Sequence, residues 1–199
     1  LNDTHPALAV TELMRFFHDE IGLPWDTAWD LTTRSLAYTN HTIMPEAMEK
    51  WPVPLLEKVL PRHLQIIYEI NQRFLQQVEV RYPNAMERMQ KMSLIEESTP
   101  KQARMANLAI VGCHSVNGVS ALHTDLLKKR VFPEFTAMFP GRFNNKTNGI
   151  TQRRWLLVCN PPLASLITDT IGEAWVKDLE ELQRLEPFAD DPGFQQAFL

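Results

Sequence analysis

Arg142-Phe143-Asn144-Asn145-Lys146-Thr147-Asn148-Gly149-Ile150-Thr151, running into Arg153-Arg154-Trp155, is where the fold of this chain is decided. Phe143 to Thr147 reads as a short strand, and it passes directly into a loop crowded with amides and hydroxyls. Asn and Thr beside a Gly mark a loop built to hydrogen-bond something rather than to pack. Two further polar turns, Thr39-Asn40-His41-Thr42 and Leu1-Asn2-Asp3-Thr4-His5-Pro6, stand between strongly apolar segments. Three such loops converging would make a neutral pocket that reads hydroxyl groups.

Outward from that stretch, apolar residues recur at helical spacing. Trp25, Ala28, Trp29 and Leu36 form one stripe, and Leu64, Ile67, Phe74 and Val78 form another in a segment opened by Pro61, where proline suits a first turn. Val119, Leu122, Leu126 and Leu127 form a third, Leu163, Leu166, Ile167 and Ile171 a fourth, and Trp175, Leu179, Leu182 and Leu185 a last. Strand candidates are few: Ser35 to Thr39, Met92 to Glu96 and Phe143 to Thr147, with Leu108 to Gly112 readable as strand or as buried helix. The class is α/β and predominantly helical. A self-contained α/β domain alternates more strands with its helices, so the shortage predicts that most of the sheet lies outside this chain. Glu96 to Gln102 reads as a polar connection.

At 199 residues and 44% apolar content the chain can bury a core of its own. A net charge of −4 and the lack of a long apolar run exclude a basic nucleic-acid face and a membrane-spanning helix. Cys113 and Cys159 lie far apart without C-x-x-C spacing, which predicts reduced, buried, structural thiols. The histidines show no metal-ligand spacing.

Four motifs stand in one order: Leu1-Asn2-Asp3-Thr4-His5-Pro6; Tyr38-Thr39-Asn40-His41-Thr42 followed by Pro45-Glu46-Ala47; His114-Ser115-Val116-Asn117-Gly118-Val119; and Lys146-Thr147-Asn148-Gly149-Ile150-Thr151. Together they resemble the glycogen and maltodextrin phosphorylases from Leu1 to about Leu185. Chains of that family are several times longer, so the resemblance implies an internal fragment of an α-glucan phosphorylase. Leu1, which is not an initiator Met and already belongs to a motif, fits that expectation. The implied fold is a two-lobed, Rossmann-like (GT-B type) glycosyltransferase. Residues 1-148 would be the C-terminal part of the N-terminal catalytic lobe, and residues 149-199 the start of the C-terminal, cofactor-bearing lobe. The implied activity is transfer of a terminal α-1,4-glucosyl unit of glycogen or maltodextrin to orthophosphate, giving glucose 1-phosphate, in a cytoplasmic homodimer that carries pyridoxal phosphate. The lysine that bears the cofactor is expected outside this chain, which alone would be inactive. Two other classes stay open: a retaining glucosyltransferase that uses a sugar nucleotide, and a noncatalytic helical module that binds glucans or a partner chain.

Read bare, His41 between two hydroxyls is as a rule a satisfied structural group. The resemblance implies that it touches the transferred sugar and favours positive charge at the anomeric carbon. Asn148 offers two donors and an acceptor to adjacent hydroxyls, or else closes an Asx-turn on Gly149. The resemblance makes it the sugar-binding amide. Asp3 or Thr4 before Pro6 is what a helix N-terminus wants, whereas the resemblance puts Asp3, His5 and the Glu46-Ala47 pair in the cleft wall. Val119 is either a core contact or a neighbour of the sugar's exocyclic carbon. Trp155 is either a helix anchor or a neighbour of pyridoxal phosphate, and Gln152 stands where the family usually has proline. Arg62, Tyr68, Asn71 and Gln72, with Glu97 and Lys101, read alone as a solvated face. In Ile67-Tyr68-Glu69-Ile70-Asn71-Gln72-Arg73-Phe74 they resemble the animal glycogen phosphorylases, whose matching surface holds oligosaccharide away from catalysis.

Overall fold

Strands too short to stand out by their composition build the sheets of this protein, whose computed structural model describes residues 1–199. The chain forms two units, Leu1–Asn148 and Gly149–Leu199.

The first unit runs α1 (Ala9–Arg15), α2 (Trp25–Ser35), β1 (Ala37–Thr39), β2 (Lys50–Pro52), α3 (Val53–Val59), α4 (Pro61–Arg81), α5 (Met86–Met92), β3 (Ile95–Glu96), β4 (Gln102–Arg104), α6 (Met105–Gly112), β5 (Ser115–Gly118), α7 (Ala121–Leu126), α8 (Pro133–Met138) and β6 (Phe143–Asn145). A parallel sheet has the order β1-β5-β6, and Asn2 bridges Thr39 in parallel at its outer side. Its register places Tyr38, Val116 and Phe143 in one buried row, and Thr39, Asn117 and Asn144 in the next. Because strand side chains alternate faces, the apolar row enters the core and the polar row faces away from it. The second sheet, β2-β4-β3, is antiparallel.

The core gathers around α6, all eight residues of which are buried. A helix apolar on nearly every side must be enclosed on every side, which is why its sequence also fits a buried strand; its one side-chain amide, Asn107, donates to Ser93 O at 2.9 Å. Helix α1 comes so close that a Cβ on Gly112 would lie 2.4 Å from Val10 Cγ1. Helix α4 turns Leu64, Ile67, Ile70, Phe74 and Val78 inward, and Phe74 stacks on Phe135 of α8 at 5.9 Å between ring centres. Gly118 ends β5 directly beneath α7, where an added Cβ would lie 2.5 Å from Thr124 Oγ1.

The second unit holds a π-helical turn at Arg154–Val158, α9 (Pro161–Ile171), 3-10 turns at Glu173–Val176 and Leu179–Phe188, and α10 (Pro192–Phe198). Ala164, Ile167, Ile171 and the fully buried Trp175 form its centre, with Trp175 Nε1 donating to Thr168 Oγ1 at 3.1 Å. No helix of the chain is long and apolar enough to cross a membrane.

Several expectations are corrected. The chain carries six strands, of which the sequence shows three; β2, β4 and β5 hold too few β-branched or aromatic residues to announce themselves. Leu108 to Gly112, readable as strand or as buried helix, is the buried helix. Leu179, Leu182 and Leu185 do not lie on an α-helix, because their strict spacing of three matches the 3-10 period and Pro187 interrupts the segment. Val119 precedes α7, and Leu122, counted in the same apolar stripe, is 70% exposed. Cys113 is buried, its thiol pushed up to about 12 by desolvation, whereas Cys159 is exposed.

Candidate functional site

All the polar motifs end at the carboxyl edge of the parallel sheet, the edge at which open α/β sheets bind ligands. Asn2 and Asp3 lie beside the end of β1, Asn40 and His41 follow that strand, Val119 follows β5, and Lys146 to Asn148 follow β6. Four short runs far apart in sequence thus meet because their strands are neighbours.

The turn after β1 is pinned from below. Asn40 is wholly buried; its backbone N–H donates to Asn117 O at 2.9 Å, and its side-chain amide donates to the Tyr38 hydroxyl at 2.9 Å. Asn40 Oδ1 accepts from Thr42 N at 3.0 Å and from His123 Nε2 at 3.0 Å. His41 is therefore carried on a fixed turn. It is exposed, and its Nε2 donates to Asn2 Oδ1 at 2.6 Å, which orients the ring. Burial pushes the Tyr38 hydroxyl well above the usual tyrosine range, opposed by its bond from Asn40, so it stays protonated.

Asp3 occupies the left-handed region with φ 63°, a conformation that Asp tolerates better than most residues. Its N–H donates to Thr39 O at 2.9 Å and its carboxylate accepts from Thr4 N at 2.7 Å. Neither Asp3 nor Thr4 caps α1, which begins at Ala9 with no side-chain cap. His5 is 81% exposed, with Nδ1 3.9 Å from Glu49 Oε2, a carboxylate that also accepts from Thr4 Oγ1 at 2.7 Å. Glu46 and Ala47 form an exposed 3-10 turn beyond His41.

The amide-rich stretch divides into brackets and one free reader. Asn144 Nδ2 donates to Ser115 Oγ at 2.8 Å, and Asn145 Nδ2 donates to Thr147 Oγ1 at 3.0 Å, so both amides serve the fold. That corrects the expectation that none of this density is a packing solution. Asn148 forms no Asx-turn; its backbone N–H donates to Val119 O at 3.0 Å and its side chain is exposed without a partner in the chain. Val119 is half-buried beside it. His41, Asn148, Val119 and Asp3 thus share one edge, with His5 beside it.

Trp155 lies in the second unit, 52% exposed on the π-helical turn, with exposed Leu157 and Val158 in the same turn. The preceding Arg153 is committed, its guanidinium donating to Val176 O and Lys177 O at 3.1 Å each.

The remaining set lies on the outer face of α4 and on the β3-β4 hairpin. Tyr68 is 39% exposed and Gln72 is exposed, while Glu97 and Lys101 pair with each other at 2.7 Å. Asn71 is half-buried, and its Oδ1 accepts from Leu94 N at 2.8 Å, leaving its amide donors for other partners. Arg62 is held away by a two-pronged bond to Asp19, both contacts at 2.7 Å. A cavity of about 590 Å³ between α4, α5 and the hairpin includes Asn71, Glu96 and Glu97 in its wall. Another of about 590 Å³ lies behind Ile43 and Met48, but its cations are largely spent: Lys50 and Arg104 on Glu96, Lys91 on Glu134. It offers little convergent, unengaged chemistry.

Sequence reasoning missed Asn2, Asn40 and His123 as parts of this edge. Asn2 and Asn40 stood inside quoted motifs, whereas His123, in α7, belongs to none and had no signal beyond its following Val119 by one helical turn.

A family profile described as carbohydrate phosphorylase matches residues 1–199. Over 194 residues, 98% of this chain, the sequence is 57% identical to the liver form of glycogen phosphorylase from Homo sapiens, 55% to the muscle form from Homo sapiens and 54% to the muscle form from Oryctolagus cuniculus. The chain spans 23% of the length of each of these relatives. Identity at this level over nearly every residue, together with the match from end to end, places the chain in the carbohydrate phosphorylase family.

Proposed function

We propose that this chain is part of an α-1,4-glucan phosphorylase, which transfers a terminal glucosyl unit of glycogen or maltodextrin to orthophosphate and releases glucose 1-phosphate. The observation that carries the reading is the meeting of the polar motifs at one sheet edge, with a free amide at Asn148 and an oriented imidazole at His41. In this reading Leu1–Asn148 belongs to the first lobe of a two-lobed, Rossmann-like glycosyltransferase and Gly149–Leu199 opens the second. Asn148 reads sugar hydroxyls, Val119 packs on the ring's exocyclic carbon, and Asp3 and His5 line the wall. The turn that carries His41 faces the anomeric carbon. A polar group fixed there in advance stabilises developing positive charge without reorganising during the reaction.

Pyridoxal phosphate is the cofactor proposed for the whole enzyme. The residues of this chain fit a flat, apolar-faced group, because the Trp155 indole and the Leu157 and Val158 side chains are exposed together on one turn. When bound, the cofactor supplies a phosphate group able to exchange a proton with the substrate phosphate. Trp155 contributes packing to it. We assign the lysine that bears it to the remainder of the protein. A cytoplasmic homodimer is proposed from the family relation alone.

Tyr68, Asn71, Gln72, Glu97 and Lys101 are proposed as a second, noncatalytic glucan contact. An exposed phenol ring next to free amide donors suits the stacking and hydroxyl bonding that sugars offer.

The test is to incubate the full-length protein with maltodextrin and orthophosphate and to assay glucose 1-phosphate and its anomeric configuration. The retained α-anomer is expected, with no product from the 199-residue chain alone. Transfer from a sugar nucleotide instead, or no reaction by the whole protein, overturns the reading.

A further inference from the structure

The His123 ring touches both halves of the candidate edge. Its Nδ1 accepts from Val119 N at 3.1 Å, and its Nε2 donates to Asn40 Oδ1 at 3.0 Å. Asn40 holds the turn that bears His41, and Val119 O receives the backbone N–H of Asn148 at 3.0 Å. A single ring therefore lies between the two residues placed against the sugar. We propose that His123 is a positioning residue of the glucosyl site, whose neutral ring keeps the His41 turn and the Val119–Asn148 loop in register.

The inference rests on the function proposed above and adds a residue that none of the motifs contains. The hydrogen bonds fix the protonation state. Val119 N–H can only donate and Asn40 Oδ1 can only accept, so both contacts are satisfied by the tautomer with its proton on Nε2. A second proton, on Nδ1, would point at the Val119 N–H and break the bridge. Burial holds His123 below the ordinary histidine range, with His41 acting in the same direction and the Thr42 backbone opposing it. The ionisable groups that face the network are His41, on the turn after β1, and Tyr38, beneath Asn40; the loop before α7 brings Val119 and Ser120, which carry no charge. The backbone that carries the ring is held as well, since Ser120 Oγ accepts from the His123 backbone N–H at 3.1 Å. Small misplacements of reacting groups cost rate steeply, so a brace between two sugar-contacting loops matters to turnover even though it touches no substrate.

Three substitutions in the full-length enzyme separate the two bonds. His123→Gln keeps an amide donor reaching toward Asn40, His123→Asn keeps an acceptor facing Val119, and His123→Ala removes both. In phosphorolysis of maltodextrin the Ala variant is expected to lose kcat by roughly 10- to 100-fold, with each amide variant recovering part of the loss. The KM for maltodextrin should stay within about threefold, because a residue that places reacting groups acts on the transition state more than on uniform binding. The pH profile is the readout that a merely structural histidine would not move. As pH is lowered below the ordinary histidine range the wild-type bridge protonates while the Gln variant has nothing to protonate there, so the ratio of Gln-variant to wild-type kcat should rise several-fold across an acid titration. Wild-type kcat in all three variants, or a ratio that does not change with pH, overturns the proposal. If the Ala variant does not fold, the two amide variants carry the same test. Failure of the wild-type protein to form glucose 1-phosphate would sink the functional reading itself, and this inference with it, before any variant is compared.

Discussion

The carboxyl edge of the parallel sheet and the outer face of α4 carry the same kinds of side chain, amides, imidazole or phenol rings and ionisable groups, but hold them differently. At the edge nearly every polar group is fixed by another: His41 on Asn2, Asn40 on Tyr38, Thr42 and His123, and Asn145 on Thr147. Asn148 is left free-handed. On α4 the groups meet mostly water, and Glu97 and Lys101 are satisfied by each other. Interactions set in advance act on a transition state, since they need no reordering as charge develops. Mobile groups that must be ordered on contact add affinity at most. Under the function proposed above, the first surface suits chemistry and the second suits holding.

The comparison breaks first at the edge. In the full-length enzyme, His41→Ala and Asn148→Ala should each slow glucosyl transfer by roughly 10- to 100-fold, the effect of losing about 1–3 kcal/mol of interaction with the reacting sugar. Steady-state kinetics with folding checked by circular dichroism would decide it; wild-type rates would reduce both loops to structural turns. Gly118→Ala should come next. Its Cβ would press within 3.0 Å of the Thr124 backbone, which cannot swing aside as a side chain can. A loss of about 1–3 kcal/mol in denaturant unfolding is expected as α7 is pushed from the sheet.

How much of this was legible varies with the kind of signal. Helices α2, α4 and α9 were readable because their apolar spacing is long and regular, and the polar loops were readable because amides and hydroxyls cluster there between apolar segments. Strand β5 was not. Its Ser-Val-Asn-Gly sequence is spent on the neighbours it must bond, leaving one β-branched residue to identify it as the middle strand. The bracing roles of Asn144 and Asn145 were equally hidden, since an amide looks the same in sequence whether it serves the fold or a ligand. His123 stayed invisible because its partners lie 83 residues away at Asn40 and across a single helical turn at Val119. Such a bridge exists only once the sheet has formed.

Smaller effects sharpen the other half of the comparison. Tyr68→Ala should weaken binding to branched glycogen several-fold more than binding to a short maltodextrin, because many attachment points on a large particle multiply a weak contact. Equal losses with both substrates, or none with either, would return this face to ordinary solvated surface. Lys101→Ala should leave the melting temperature unchanged, since an exposed pair of this kind contributes little to stability. A clear drop in a thermal scan would show that the hairpin is held more firmly than its exposure indicates. Acid should act elsewhere again. Glu12 is held down to about 2 chiefly by its bonds from Arg15, with His63 adding to them, so its contribution is present above 4.5 and fades as pH falls toward 2. An acid-unfolding titration of Glu12→Gln should therefore lie closer to wild type at low pH than at neutral pH.

The complete enclosure of α6 also sets a clock. Its amides are bonded within a helix that has no wet side, so their protons reach solvent only when the surrounding core opens. In deuterated buffer Met105–Gly112 should keep its protons longest in Leu1–Asn148, reporting the free energy of opening that whole unit, while the exposed backbone near Asn148 exchanges early. The rate difference between them would measure how far the binding edge can breathe while its foundation stays closed.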